Sequence, residues 1–433
     1  MTSTTMTPVH RSTRVKAVLA ASIGNFIEWF EYTLYGFFAA AIALNFFPGG
    51  ASSLIPTFAV FGVAFVLRPL GAVTFGHFGD RVGRRTVLAV VIVGMSLATF
   101  LIGVLPSYET AGMLAPALLL LARAVQGFSA GGEFGGATAF MVEYAPEGRR
   151  SFYGSWQFFT QFLGALAASG FGTLLSVVLS EQAVNDWGWR IPFLLTLPMG
   201  LIGLYLRIKL DETPEFQRER TEEATAEDTA APLLVTVREH GRSVLIIIAM
   251  IISGTTATYV VQAFLPAYLV ETVGLPQRQV FTAMLIGLAL LVGSVPVWAL
   301  LADRFGRHKP FLVASPLATA VGSVPAFLLL LHGSFATTVA GYVLMALLFS
   351  PGLGSMATAM SDVFPTEVRY SGLSLAYGIA VSVFGGFTPL LLASLADSTG
   401  SHLAPALYLT ATAVVSLVAA LLFPETGRRR PVR

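Results

Sequence analysis

Two glutamates stand three residues apart in the stretch 24-GNFIEWFEYTLYGF-37, inside a run that is otherwise apolar. An ionised carboxylate is costly in such a segment, and charged residues inside membrane spans face a cavity or a partner and mark ion pathways. On a helix, Glu28 and Glu31 share one side with Tyr32 and Tyr35. The spacing therefore predicts a polar stripe along one side of the helix that can face a central cavity.

Further charged residues, Arg68, Arg123 and Glu133, also fall inside apolar segments. A helical rise of about 1.5 Å per residue places Glu28 and Arg68 at similar depth, roughly 18 Å from the charged end of each segment. We therefore predict that they form an ion pair with a structural or coupling role. Three acids against two arginines leave one carboxylate without a full counter-charge. Burial lets such a group take up a proton near neutral pH, so Glu31 or Glu133, with Arg123, is predicted to couple protons, and Glu31 is preferred.

Uncharged polar and aromatic side chains recur at helical spacing in other apolar segments. Gln126 lies three residues after Arg123 and seven before Glu133, so it shares a helix side with Glu133. Polar groups in membrane helices can line a cavity or join helices by hydrogen bonds. The predicted substrate-binding set is Arg123, Gln126, Tyr32, Tyr35, Gln157, Gln161, Tyr259 and Gln262, with Arg123 as the leading cationic contact for a carboxylate.

The elements that must position these residues are membrane-spanning helices. The chain has 433 residues, of which 55% are hydrophobic and 12% charged, whereas soluble proteins carry about a quarter charged residues. Apolar segments of about 20 residues can cross a bilayer as helices. Twelve spans are predicted near 18–46, 54–77, 86–105, 113–143, 151–179, 189–208, 243–270, 279–301, 310–331, 335–361, 370–396 and 403–423. The fold class is therefore an all-α polytopic membrane protein.

The distribution of Lys and Arg predicts the orientation of the chain. The N-terminus, the loops after even-numbered spans and the C-terminus hold all but four of the 26 Lys and Arg, the exceptions being Arg68, Arg123, Arg190 and Arg278. Because basic loops stay on the cytoplasmic side, both termini are predicted to be cytoplasmic.

The two halves of the chain repeat each other. The loop after span 2 reads 76-GHFGDRVGRR-85 and the loop after span 8 reads 299-ALLADRFGRHK-309. Two further pairs of motifs follow in the same order at a similar offset. A tandem six-span repeat predicts two bundles with a cavity between them. The predicted division is a bundle over 1–208, a charged cytoplasmic linker over 209–242 and a second bundle over 243–433.

These loop motifs and the repeated six-span layout resemble the major facilitator superfamily. Four stretches are similar to its metabolite:H+ symporter branch, namely 24-GNFIEWFEYTLYG-36, 67-LRPLG-71, 123-RAVQGFSAGGEFGG-136 and 187-WGWRIPF-193. Carriers of that branch take up α-ketoglutarate, citrate, shikimate, or proline and betaine. The resemblance implies a major facilitator fold of two six-helix bundles in the bacterial cytoplasmic membrane. It also implies a cytoplasmic gate, which would comprise Asp80, Arg81, Gly83, Arg84, Asp303, Arg304 and Arg307.

The function implied by the resemblance is proton-coupled import by alternating access. The first expectation is a small carboxylate-bearing metabolite such as a di- or tricarboxylate, and the alternative is a zwitterion such as proline or betaine. A non-transporting sensor on the same fold is the weaker alternative, since the sequence shows no sizeable soluble domain. No nucleophile motif, nucleotide fold or metal-spaced His cluster occurs in the sequence. We therefore expect no enzyme activity, no cofactor besides the proton, no metal and no nucleic-acid partner, and a functional monomer in the lipid bilayer.

Overall fold

The computed structural model describes residues 11–49, 53–82, 84–132, 134–143, 145–209 and 232–427. In these residues the chain is helical and holds no strand. Spans 1 to 6 comprise Arg11–Phe37 with Ala39–Phe46, Leu54–Val82, Arg84–Val104, Leu114–Ser129 with Phe134–Glu143, Arg150–Gly154 with Trp156–Val178, and Arg190–Lys209. Spans 7 to 12 comprise Pro232–Tyr259 with Leu265–Ala267, Gln277–Phe305, Lys309–Leu331, Phe335–Val363, Thr366–Ala380 with Thr388–Thr399, and Ala404–Leu422. The predicted fold class and its twelve helices are confirmed.

By length and composition, eight of the described helices could cross a membrane, and shorter apolar helices lie in spans 3, 4 and 6. Large apolar side chains face outward along them, with Val321 72% and Leu245 67% exposed. Such a surface would be unfavourable in water and suits lipid tails, in which only the backbone must satisfy its hydrogen bonds internally.

Spans 7 and 11 depart in places from regular α-helix. Span 7 continues through π turns at Val260–Phe264 and Tyr268–Thr272, and span 11 contains one at Val381–Gly386. Turns of this kind redirect side chains and are frequent at functional sites. Span 7 begins at Pro232, earlier than predicted, and kinks at His240 close to the predicted membrane boundary.

Glycines bring spans 2 and 4 close together. A Cβ on Gly127 would lie 1.9 Å from the Ala64 carbonyl oxygen, and one on Gly131 would lie 2.2 Å from the Arg68 carbonyl oxygen. Any larger side chain would push the helices apart, so the glycine-rich stretch of span 4 serves helix packing, as small residues do in membrane bundles. This packing holds the Arg68 helix against the helix that carries Arg123.

The two halves meet along several helix pairs, which include span 5 with span 8 and span 2 with span 11. Ser382 Oγ of span 11 donates a hydrogen bond to the Phe65 carbonyl oxygen of span 2 at 2.9 Å. Span 1 meets span 7 at Gly36, where an added Cβ would lie 2.6 Å from Ala263 Cα. The candidate functional site lies within this interface.

Candidate functional site

A small cavity lies between the two halves. Span 1 contributes Trp29, span 5 Phe158 and Gln161, and the second half supplies Ile251, Gly254, Thr255, Thr258, Tyr259, Leu353, Met356, Tyr377 and Val381. Four of these residues are aromatic and three others carry a neutral amide or hydroxyl. No Lys, Arg, His, Asp or Glu is among the described residues that line it.

The aromatic walls are fixed by ring-to-ring packing. The rings of Trp29 and Tyr259 lie 6.0 Å apart between centroids, and Tyr259 meets Phe65 edge-on at 5.3 Å. Tyr377 stacks on Phe134. Aromatic faces attract cations through their quadrupole, most strongly when water is excluded. We call Trp29, Tyr259 and Tyr377 the aromatic cage.

Arg68 and Glu28 form a buried ion pair beside the aromatic cage. The structure thus pairs Glu28 with Arg68, the two residues that the helical rise predicts to lie at similar depth in the membrane. The Arg68 guanidinium lies 5.7 Å from the centre of the Tyr32 ring and within electrostatic range of Tyr259 and Tyr377. Its positive charge therefore adjoins the cavity without lining it.

Glu31 is fully buried between spans 1 and 3. Ser96 Oγ donates a hydrogen bond to its Oε1 at 2.5 Å, and Thr99 Oγ1 donates one to its Oε2 at 3.0 Å. Neither hydroxyl residue was predicted to belong to the site. Hydrogen bonds to an ionised group are stronger than those between neutral groups, so these contacts hold the carboxylate firmly.

Arg123 is fully buried on span 4 and does not line the cavity. Its guanidinium donates hydrogen bonds to Gln126 Oε1 and to the Phe61 carbonyl oxygen, and it lies 4.4 Å from the centre of the Tyr35 ring. Tyr32 lies 5.4 Å from the same guanidinium. In this conformation Arg123 therefore sits behind tyrosine rings rather than at the cavity surface, and direct contact with a substrate stays a prediction.

Two other predicted binding residues join helices in this structure. Gln157 Nε2 donates to Asn25 Oδ1 at 2.9 Å, and Asn25 Nδ2 donates to Thr160 Oγ1 at 2.8 Å, which ties span 5 to span 1. Gln262 Oε1 accepts from Thr33 Oγ1 at 3.0 Å. Of the predicted binding set, only Gln161 and Tyr259 line the cavity.

Polar contacts join the halves at the predicted cytoplasmic end. The Asp303 carboxylate accepts hydrogen bonds from the backbone N–H groups of Ser151 and Phe152 at 2.8 and 2.9 Å, so span 8 caps the start of span 5. A carboxylate at this position is also stabilised by the dipole of the capped helix. Arg150 forms an ion pair with Asp362 of span 10. We call these contacts the latch.

Further contacts within the second half support the latch. The side chain of Arg307, although exposed, pairs with Glu425 at 3.3 Å, and Arg304 is exposed as well. Burial raises the pKa of Glu425, but hydrogen bonds from the backbone N–H groups of His308, Gly427 and Lys309 outweigh it, and the pKa is lowered. Gly83 and Glu133 lie outside the described residues, as do the side chains of Asp80, Arg81 and Arg84. Their roles stay predictions.

The halves also touch at the opposite end of the cavity. The ring centroids of Phe37 on span 1 and Phe281 on span 8 are 4.0 Å apart. Gln277 Nε2 donates to Asn185 Oδ1 at 3.3 Å. The two halves therefore contact each other at both ends of the bundle, with the cavity between these contacts.

The latch holds a buried histidine in reach of several charges. His308 contacts Ser151 Oγ at 3.2 Å and Thr426 Oγ1 at 2.9 Å. Burial lowers its pKa, and Arg150 adds to this, against the opposing attraction of the Asp362, Glu425 and Asp303 carboxylates. Because the packed latch holds the pKa of His308 below its ordinary value of 6.5, proton uptake favours the released form. The latch is therefore fully stable above about pH 6.5 and weakens as the pH falls below that value.

We expect acidification from pH 7.5 to 5.5 to raise the normalised rate of thiol labelling of a cysteine placed at Ser361, a buried residue next to Asp362 in the chain. The chain has no native cysteine, so the label reports this position alone. Rates are normalised to a cysteine at the exposed Ser401. His308→Gln keeps hydrogen-bonding groups but cannot take up the proton, so it should remove the acceleration. Equal acceleration in His308→Gln would show that another group controls the latch.

The sequence had not predicted Trp29, Phe158, Thr255, Thr258 or Tyr377 as cavity residues. Trp29 lies directly after Glu28 in the stretch 24–37, and its position next to a carboxylate inside a membrane span could have identified it as a candidate cavity residue. Thr255 and Thr258 are three residues apart and precede Tyr259 on span 7, so helical spacing could have extended the predicted patch. Ser96 and Thr99 carry no comparable signal, because isolated hydroxyls are common in membrane helices.

Comparison with known proteins gives consistent matches along the whole chain. The model of the family described as "Sugar (and other) transporter" matches residues 17–430. The proline/betaine transporter of Escherichia coli strain K12 is 40% identical over 425 residues, which cover 96% of this chain and 84% of that protein. The citrate-proton symporter of Klebsiella pneumoniae is 37% identical over 421 residues, which cover 94% of this chain and 91% of that protein. The xylose transporter XylE of E. coli matches in fold with a TM-score of 0.74 at 16% identity, over 97% of this chain and 100% of that chain.

Proposed function

The chain belongs to the sugar (and other) transporter family within the major facilitator superfamily, and from this premise we propose that it imports a small zwitterionic solute such as proline or betaine together with protons. It is a proton-coupled membrane transporter of a bacterial family and not an enzyme. The carboxylate-bearing metabolite expected first from the sequence becomes the second candidate.

The observation that carries this proposal is the cavity wall, which offers aromatic faces and neutral polar groups but no cationic side chain among the described residues. A zwitterion can place its ammonium group against the aromatic cage, where cation–π attraction compensates for lost hydration. A tricarboxylate would enter this cavity without a direct counter-charge, and burying unpaired charge is strongly unfavourable.

The carboxylate of a zwitterion also finds suitable donors. The buried Tyr259 hydroxyl has no hydrogen-bond partner among the described residues, and buried polar groups normally have one. Thr255 and Thr258 supply further hydroxyls on the same wall.

The citrate-proton symporter among the relatives supports a di- or tricarboxylate as the second candidate. Arg68 and Arg123 are the arginines inside the apolar spans of the first half. Arg68 is engaged by Glu28, and Arg123 is engaged by Gln126 and the Phe61 carbonyl oxygen. A tricarboxylate would have to displace these partners, whereas a zwitterion need not.

We further propose that Glu31 carries the coupled proton, with Arg123 as its charged counterpart, and that Glu133 is the alternative carrier. Alternate breaking of the latch and of the Phe37–Phe281 contact would open the cavity to one side at a time, as alternating access requires. On this account both termini face the cytoplasm, the proton is the only coupling ion, and a monomer suffices for transport.

A binding screen tests the substrate class. We expect proline and glycine betaine to raise the unfolding temperature of the purified protein and citrate to leave it unchanged, because a bound ligand stabilises the folded state. Trp29→Leu should weaken zwitterion binding roughly 2- to 30-fold, the range of a cation–π contact. Trp156→Leu, a tryptophan outside the cavity wall, is the matched control. Stabilisation by citrate alone would favour the second candidate instead.

A further inference from the structure

We infer that Ser96 and Thr99 of span 3 are positioning residues for proton coupling, and that the Thr99 hydroxyl turns between two acceptors according to the charge of Glu31. The inference rests on the proposed role of Glu31 as the proton carrier. It adds span 3 to a mechanism that otherwise involves spans 1 and 4.

Both hydroxyls lie on the side of span 3 that faces span 1. Ser96 and Thr99 are three residues apart on the helix Arg84–Val104, and both are buried. Each donates to a different oxygen of the Glu31 carboxylate, at 2.5 and 3.0 Å. The pair therefore fixes the orientation of the carboxylate as well as its position.

Thr99 also connects Glu31 to Arg123. Gln126 Nε2 donates to Thr99 Oγ1 at 2.8 Å, and Gln126 Oε1 accepts from Arg123 Nη1. The donors run in one direction, from the guanidinium through the amide and the hydroxyl to the carboxylate. Such chains are polarised, and each bond strengthens its neighbours.

The Thr99 hydroxyl lies at hydrogen-bond distance from two acceptors. Its oxygen is 3.0 Å from Glu31 Oε2 and 3.0 Å from the carbonyl oxygen of Met95. A hydroxyl carries a single proton to donate. An ionised Glu31 attracts that proton more strongly than a carbonyl oxygen does. When Glu31 takes up a proton from the water on the open side, the attraction falls and the hydroxyl can turn to Met95, keeping its own proton.

This turn changes the environment of Arg123 and of the cavity. Once the hydroxyl turns away from Glu31, the chain from Arg123 ends at Met95 and no longer reaches the carboxylate. The Tyr32 ring lies 5.4 Å from the Arg123 guanidinium and 6.5 Å from the Trp29 ring of the aromatic cage. Protonation of Glu31 can therefore reach the solute site through Thr99, Gln126, Arg123 and Tyr32.

The test uses the full-length protein in proteoliposomes with radiolabelled proline and two assays. Uptake driven by an imposed pH gradient requires protonation and deprotonation in every cycle, whereas exchange of labelled for unlabelled proline at equal pH does not. We expect Thr99→Val to slow gradient-driven uptake at least about tenfold, as loss of a hydrogen bond to a charged group implies. Exchange should stay near the wild-type rate, and Thr99→Ser should restore gradient-driven uptake.

A second variant and a matched control complete the test. Ser96→Ala should weaken gradient-driven uptake in the same selective way. Thr196→Val removes a buried hydroxyl whose hydrogen bonds among the described residues go to the backbone carbonyls of Ser96 and Phe193, so both rates should stay near wild type. Radiolabelled citrate replaces proline if the wild type takes up only citrate.

The inference is overturned if Thr99→Val and Ser96→Ala retain both rates, or lose both rates equally, since equal loss means a purely structural role. Glu31→Gln is measured in the same two assays, so that a failure of this inference can be distinguished from a failure of the proposed function. Wild-type gradient-driven uptake in Glu31→Gln would remove the proposed carrier itself. Loss in Glu31→Gln with no effect of Thr99→Val and Ser96→Ala would remove only the inference about span 3.

Discussion

Glu31→Gln is expected to abolish proton-driven accumulation of solute and to leave exchange at equal pH largely intact. The glutamine keeps the size of the side chain and one of the two acceptor oxygens that Ser96 and Thr99 contact, but it cannot take up and release a proton. One pH unit across the membrane supplies about 1.4 kcal/mol per proton, enough for roughly tenfold accumulation at one proton per solute. The variant should reach only the external concentration.

The measurement is the steady-state ratio of internal to external labelled solute in proteoliposomes with an acidic exterior. Glu133→Gln is measured in parallel, since Glu133 is the alternative carrier. Wild-type accumulation in both variants would contradict proton coupling through either residue. Loss in Glu133→Gln alone would transfer the role to Glu133.

Glu28→Gln is expected to destabilise the protein by about 3–5 kcal/mol, because it leaves the Arg68 charge buried without the anion of its ion pair. Both side chains are at most 5% exposed, so water cannot compensate for the loss. The effect should appear as a large fall in the midpoint of unfolding of the purified protein.

The double variant Glu28→Gln/Arg68→Gln removes both charges and should be more stable than Glu28→Gln, because no uncompensated charge stays buried. Arg307→Gln breaks an ion pair at the surface, where such pairs contribute about 0–1 kcal/mol, and provides the matched control. If Glu28→Gln and Arg307→Gln have equally small effects, the buried pair is not a major source of stability.

Much of this arrangement could be predicted from the sequence because membrane helices have regular geometry. A fixed rise per residue matched Glu28 with Arg68, and the structure pairs them. The same reasoning placed Arg123 in the membrane but could not give the direction of its long side chain, which turns towards Tyr35 and Gln126 instead of the cavity. Helix rotation within the bundle depends on packing partners that are distant in sequence.

The cavity wall was the least predictable part. Tyr377 and Trp29 become neighbours of Tyr259 only because spans 1, 7 and 11 converge between the halves. Gln157 and Gln262 were equally good candidates by spacing, yet they face Asn25 and Thr33 on span 1. The sequence favours a carboxylate-bearing metabolite because the spans of the first half contain Arg68 and Arg123. The cavity wall in the structure favours a zwitterion instead, because neither arginine lines it.

Gradient-driven uptake by the wild-type protein tests the central claim most directly. The purified protein is reconstituted in liposomes with an acidic exterior, and labelled proline, glycine betaine and citrate are compared with and without a protonophore. We predict that proline or glycine betaine accumulates above its external concentration and that the protonophore abolishes the excess. Accumulation of citrate alone, or zwitterion uptake that is indifferent to the pH gradient, would contradict the account.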